Sequence, residues 1–144
     1  MLSHPFTQRL AKTPADTVSD PFAALLLIEA FISTPRQPQV VVLLLDHERR
    51  GMTSLNVNNI GDPDSVLGVA DSIVTRRDQN ERFGAVVLAS VRPRGSDELD
   101  DVERWLTLDE TFSSAGVDLI EWFVLGRSIS CPRALLGEPP RWAA

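Results

Sequence analysis

The chain has very little histidine and cysteine: two histidines, His4 and His47, and one cysteine, Cys131, among 144 residues. A single thiol cannot close an internal disulfide, so nothing in the sequence points to an oxidising compartment and a cytoplasmic location is expected. The two histidines are far apart in the chain, and neither has a second ligand at helical spacing, which excludes the common histidine-based metal motifs. Cys131 stands beside Pro132 with no histidine that the sequence can place next to it, and it reads as a structural thiol rather than a nucleophile. No apolar run approaches the roughly 18 residues of a bilayer-spanning helix, and the opening MLSHPFTQRLAKTPAD has no signal-peptide core. Phosphate-binding Gly-x-x-x-x-Gly-Lys is missing, and Gly61 and Gly68 do not make a dinucleotide fingerprint. A net charge of −6, with arginines only in isolated pairs, disfavours nucleic-acid phosphates and anionic lipid as partners. The expectation is therefore a protein with no metal, no cofactor, no membrane segment and no nucleic-acid partner.

What the sequence does contain is a series of short apolar segments separated by Pro, Gly and Asp. A chain of this length fits one domain and can bury roughly 68–70% of the surface its unfolded form exposes. Residues 1–20 show no periodicity and read as a flexible or loosely docked arm, with the domain over 21–136 and a Pro-rich tail over 137–144. Asp20 and Pro21 suit the N-cap and first position of a helix, and PFAALLLIEAFI is apolar nearly all round, so that helix is expected to be well buried. QVVVLLLD reads as a central strand buried on both faces, followed by a turn, HERRG, in which His47 is exposed. MTSLNVNNI alternates through Met52, Leu55 and Val57, which predicts a half-exposed strand near a sheet edge with its asparagines toward water or a partner.

Asp62 and Pro63 repeat the helix-start signal, and Val66, Val69, Ala70, Ile73 and Val74 form one apolar stripe ahead of a basic exit. GAVVLASV is a second buried strand. SDELDDVERWLTLDETFSS is a helix with Ser96 as N-cap, four early acids complementing its dipole, and Gly116 beyond its end. VDLIEWFVLG is a third apolar strand, and SIS a short one. The predicted order is α-β-β-α-β-α-β-β, an α/β sandwich in which a mixed sheet is flanked by helices in three layers. Trp105, in register with Leu108 and Phe112, belongs to the core, while Trp122 and Phe123 point to opposite faces of one strand. Trp142 has no obvious core to join; it either folds back or contacts another chain, which makes it the interface candidate.

LASVRPRGSDELDDVERW, an apolar strand running into Arg-Pro-Arg-Gly and then an acidic helix, carries the functional question. FGAVVLASVRPRG resembles the strand and His-x-His-Pro-x-Gly loop of the RadC-like branch of the JAB/MPN metalloprotease family, with Pro93 and Gly95 on the matching Pro and Gly. VVVLLLD with HERRG resembles that family's Leu-Asp strand and hairpin. VDLIEWFVLGRSIS resembles its late Leu-Asp-His-Ile strand, with Glu121 and Trp122 in place of Asp and His. The resemblance runs from roughly Phe22 to Leu136 and implies a cytidine deaminase-like α/β fold. It also implies a zinc site of two histidines, a helix aspartate and a water-activating glutamate.

In this chain the histidine positions hold Ser90 and Arg92, the glutamate position falls on Pro38 or Gln39, and only the aspartate remains, as Asp101. Catalytic zinc needs about three protein ligands and an open position, and Arg92 brings a permanent positive charge to the place of a cation. The resemblance thus implies an inherited fold without its catalysis. The acids Asp97, Glu98, Asp100, Asp101 and Glu103 read mainly as a solvated helix start, each contributing roughly 0.3–1 kcal/mol. Arg92 and Asp101 are expected to pair across the former metal pocket. Arg94 is either an ordinary surface arginine or, with Arg92, an anion-binding mouth. The expected function is a catalytically inactive binding or scaffold module for a protein partner or in a homodimer. The alternative is a small-molecule or anion-binding protein, or a non-metal enzyme, that reuses the pocket through Arg92 and Arg94, with Asp101 or Glu121 handling protons.

Overall fold

The computed structural model describes residues 17–58, 61–76 and 83–142, together with the backbone of 6–10 and of 77. Along the chain these form β1 (Phe6–Leu10), α1 (Pro21–Phe31), β2 (Gln39–Leu45), β3 (Gly51–Asn58) and α2 (Ser65–Arg77). They continue with β4 (Ala85–Val91), α3 (Asp101–Ser113), β5 (Asp118–Leu125), β6 (Ile129–Ser130) and α4 (Pro132–Leu135). The strands make one sheet in the order β1-β3-β2-β4-β5-β6. The β2 strand runs antiparallel to both β3 and β4, whereas β4 and β5 are parallel, so the sheet is mixed. Parallel neighbours need a crossover, and α3 supplies it.

The sheet buries both faces. On one, Val42, Leu88 and Trp122 meet Val66 and Ile73 of α2 and Trp105, Leu108 and Phe112 of α3. On the other, Val41, Leu43 and Phe123 meet Ala24, Ile28 and Phe31 of α1. The molecule is therefore an α/β sandwich, helix on sheet on helix. Trp122 and Phe123 are consecutive and both buried, because a strand sends successive side chains to opposite faces and both faces are covered. Removing Leu108 or Phe112 from water contributes about 1.5–3 kcal/mol each. His47 is exposed in the β2–β3 turn, as expected. Among the described residues no helix is long and apolar enough to cross a membrane.

Four expectations need correction. The α1 helix is only half buried: Phe22 is 71% and Leu26 58% exposed. Ala24, Ile28 and Phe31 face the sheet and Leu25 and Leu27 are partly covered against the same cluster, whereas Phe22 and Leu26 find no such cover among the described residues. Secondly, β3 is not at the edge, because Phe6–Leu10, assigned from sequence to an arm, pairs antiparallel along it from Phe6–Val57 to Leu10–Thr53. Residues 1–5 and 11–16 of the expected arm, His4 included, lie outside the described residues.

Thirdly, β3 is mostly buried, and Asn56 faces neither water nor a partner. Its Nδ2 donates to Phe31 O at 2.5 Å and to Gln39 Oε1 at 2.8 Å, beneath the end of α1. Arg76 and Arg77 of the expected basic exit form the end of α2, while Asn59 and residues 78–82 fall outside the described residues. Finally, α3 begins at Asp101 rather than after Ser96. The Asp101 carboxylate accepts the Glu98 N–H at 2.7 Å, holding the preceding residues in a turn of their own. Of the acids, only Asp101 and Glu103 therefore lie in the first helical turn.

Candidate functional site

The β4 strand and the loop after it position the first group of side chains. Ser90 points to the face of Trp122, and its Oγ accepts from Trp122 Nε1 at 3.0 Å. Arg92, just past the strand, donates its N–H to Leu125 O at 2.8 Å, and Gly95 N–H returns to Arg92 O at 3.0 Å. Arg127 N–H then donates to Gly95 O at 3.0 Å, fastening the loop to the end of β5. This contact requires glycine at 126, where a Cβ would lie 2.5 Å from Gly95 O.

The loop is closed by Asp101, which is fully buried. Arg92 makes a two-pronged pair with it, Nη2 to Oδ1 at 2.8 Å and Nη1 to Oδ2 at 2.9 Å. Arg104 Nη1 reaches Oδ1 at 2.7 Å, and the Glu98 N–H reaches Oδ2. Burial alone would raise the Asp101 carboxyl pKa, but the hydrogen bonds from Arg92, the Glu98 N–H and Arg104 outweigh it and hold it below the ordinary value. Arg104 extends the network through Nε to Asp64 at 2.7 Å and Nη1 to Glu98 at 3.1 Å. Burial disfavours its charge, yet Asp64, Asp101 and Glu98 together raise its pKa. Arg104 was not anticipated from sequence; its i, i+3 spacing from Asp101 was the available signal.

Beside this cluster is a pocket of about 240 Å³ between the start of β2, the turn before α2 and the loop from Ser90 to Gly95. Arg94 lies at its margin, exposed, with no hydrogen bond or ion pair to any described residue. Gln39, one of the two candidates for the glutamate position, forms part of the wall. Its side chain is committed to structure: Oε1 accepts from Ser33 N and Asn56 Nδ2, and Nε2 donates to Gln37 O.

Glu121 does not join this group. It sits opposite Val87 in the β4–β5 register, and its buried carboxylate takes Arg133 Nε at 3.1 and 3.2 Å. Arg133 also donates to Glu138 O. The Cys131 thiol next to this pair is pushed up to about 12 by burial and by the charge of Glu121, so it stays protonated and unreactive at neutral pH. Trp142 folds back onto the domain, its ring stacked on Phe123 with centroids 6.3 Å apart, and is partly buried there. The neighbouring Arg141 lies 4.8 Å over the Trp105 ring and pairs with Asp109 and Glu138. Apart from the local Arg141–Glu138 pair, these tail contacts join residues distant in the chain, and no local spacing announces them.

The residues present do not fit zinc. A guanidinium has no lone pair to donate, the Ser90 hydroxyl is held by Trp122, and both Asp101 oxygens are taken by cationic or N–H donors. Among the described residues, no group of three or more His, Cys, Asp or Glu side chains is arranged to hold a metal ion. No family model matches the chain, and no curated protein matches it in sequence.

Proposed function

We propose that this chain is a RadC-like, JAB/MPN-type domain that has lost its metal chemistry and acts by binding, as a scaffold for a protein partner or for a second copy of itself. The observation that carries the reading is the two-pronged Arg92–Asp101 pair. By the sequence resemblance, Arg92 stands at a histidine ligand position and Asp101 at the aspartate, so a guanidinium satisfies the anion that would otherwise hold a metal. Asp101 is saturated by four donors and has its pKa lowered, which makes it a poor proton acceptor. Glu121 is tied to Arg133. Neither carboxylate is free for acid–base work, which weighs against an enzyme. Exposed Phe22 and Leu26 on α1 favour protein contact.

The test combines two measurements. Peptide and isopeptide substrates should not be cleaved, with or without added zinc, and sedimentation at micromolar concentration should show a dimer or a co-purifying partner. An interface of about 1,200–2,000 Å² is expected. Zinc-restored hydrolysis would overturn the proposal. A strict monomer without a partner would favour the second reading, a small-molecule or anion binder, which the pocket beside Arg94 supports.

A further inference from the structure

The geometry points to a carboxylate site in the pocket beside the Arg92–Asp101 pair: we infer that it binds a monocarboxylate carried on a short apolar group, held by Arg94 and the Ser90 hydroxyl. The inference rests on the reading of the chain as a binding domain. It comes first from counting donors. Arg94 has no partner among the described residues. Ser90 Oγ uses a lone pair to accept from Trp122, which leaves its own proton uncommitted to any described acceptor. Arg92 spends its two Nη atoms on Asp101 and the Ser96 carbonyl, while nothing among the described residues accepts from its Nε.

The walls and the charge balance then select the ligand. Pro38, Val40, Pro63, Val66 and Pro93 make an apolar lining, suited to a short hydrocarbon rather than to water. A volume of about 240 Å³ equals about eight waters at ~30 Å³ each, room for a small branched acid or for one terminal residue of a peptide. Asp62 and Glu98 also line the pocket and balance Arg92 and Arg94. A phosphate dianion would meet those two carboxylates, whereas a single carboxylate can lie flat against the Arg94 fork. The shared chemistry has two sources, a free monocarboxylic acid and the C-terminal residue of a protein chain.

The experiment is an NMR titration of the labelled full chain with 3-methylbutanoate and with a tripeptide ending in valine, each run beside its carboxamide. At least one of the acids should shift the amides of Ser90, Arg92, Arg94 and Gly95 while its amide does not. Arg94→Ala should weaken binding about tenfold to a hundredfold, the loss expected for a charge-assisted hydrogen bond, and Arg94→Lys should recover part of it. Arg94 is exposed and unpaired, so both variants should melt like the parent. Whether the acid or the peptide binds more tightly names the source. The inference is overturned if neither acid moves those resonances at about 10 mM, where even millimolar binding is visible. It is equally overturned if the amides bind as well, or if Arg94→Ala changes nothing. Metal content and peptidase activity are read separately, so a failure here leaves the loss of metal chemistry standing.

Discussion

Truncating Asp101 leaves the guanidinium groups of Arg92 and Arg104 facing each other with no anion between them. Because Asp101 is fully buried, Asp101→Ala should destabilise by about 3–5 kcal/mol in urea unfolding. Arg92→Ala should cost less, about 1.5–3 kcal/mol, since Asp101 keeps Arg104 and the Glu98 N–H. Equal midpoints for both variants and the parent would dissolve the pair as a stabilising unit. The Asp101 pKa is lowered on folding, so its stabilising contribution is complete above the unfolded value near pH 4 and is lost as pH falls through the lower folded value. Asp101→Asn should therefore flatten the loss of stability below about pH 4, as followed by acid titration of ellipticity. Gly126→Ala would drive a Cβ into the Gly95 carbonyl and should cost about 1–3 kcal/mol. At this scale the Arg92–Asp101 pair was legible through the resemblance, which sets the two residues across one pocket. The bonds of Asn56 to Phe31 and Gln39, and of Arg133 to Glu121, were not, because they join elements that meet only in the folded chain.

Among the elements, β2, β4 and β5 could be read with little error. Each is a β-branched or apolar run buried on both sides, and no other environment suits such a run. Burial of α1 could not be read, since its sequence is apolar all round while the number of layers beyond it is a property of the whole chain. Nor could β1 be found: five residues, FTQRL, gain strand structure by pairing with β3 rather than from their own pattern. The start of α3 lies one turn later than its sequence suggests, and the Asp101 carboxylate accepts the Glu98 N–H from inside the helix. The tail gives a direct check on this level. Trp142 stacks on Phe123, so Trp142→Ala should lower stability by about 0.5–1.5 kcal/mol in thermal or urea unfolding. By contrast, Phe22→Ser and Leu26→Ser should each stay within about 0.5 kcal/mol, as expected for exposed positions. A large loss in either helix variant would show that α1 is covered in solution.

For the whole molecule, the sheet order brings the end of β4, the start of β2 and the first turn of α3 together at one corner of the sandwich. That corner holds a saturated ion-pair network and, beside it, an open pocket. Its central feature is the Arg92–Asp101 pair, in which, on the function proposed above, Arg92 takes the place of a metal. The most direct measurement is elemental analysis of the parent and of a Ser90→His/Arg92→His double variant, each exposed to zinc and then passed through gel filtration. Two imidazoles with Asp101 would make a three-ligand set of the kind catalytic zinc uses. The expected result is no stoichiometric zinc in the parent and a stoichiometric amount in the folded double variant. Stoichiometric zinc in the parent would contradict the replacement of metal by guanidinium. A folded double variant that retains none would show that this corner is not a metal site in which the arginine has taken over.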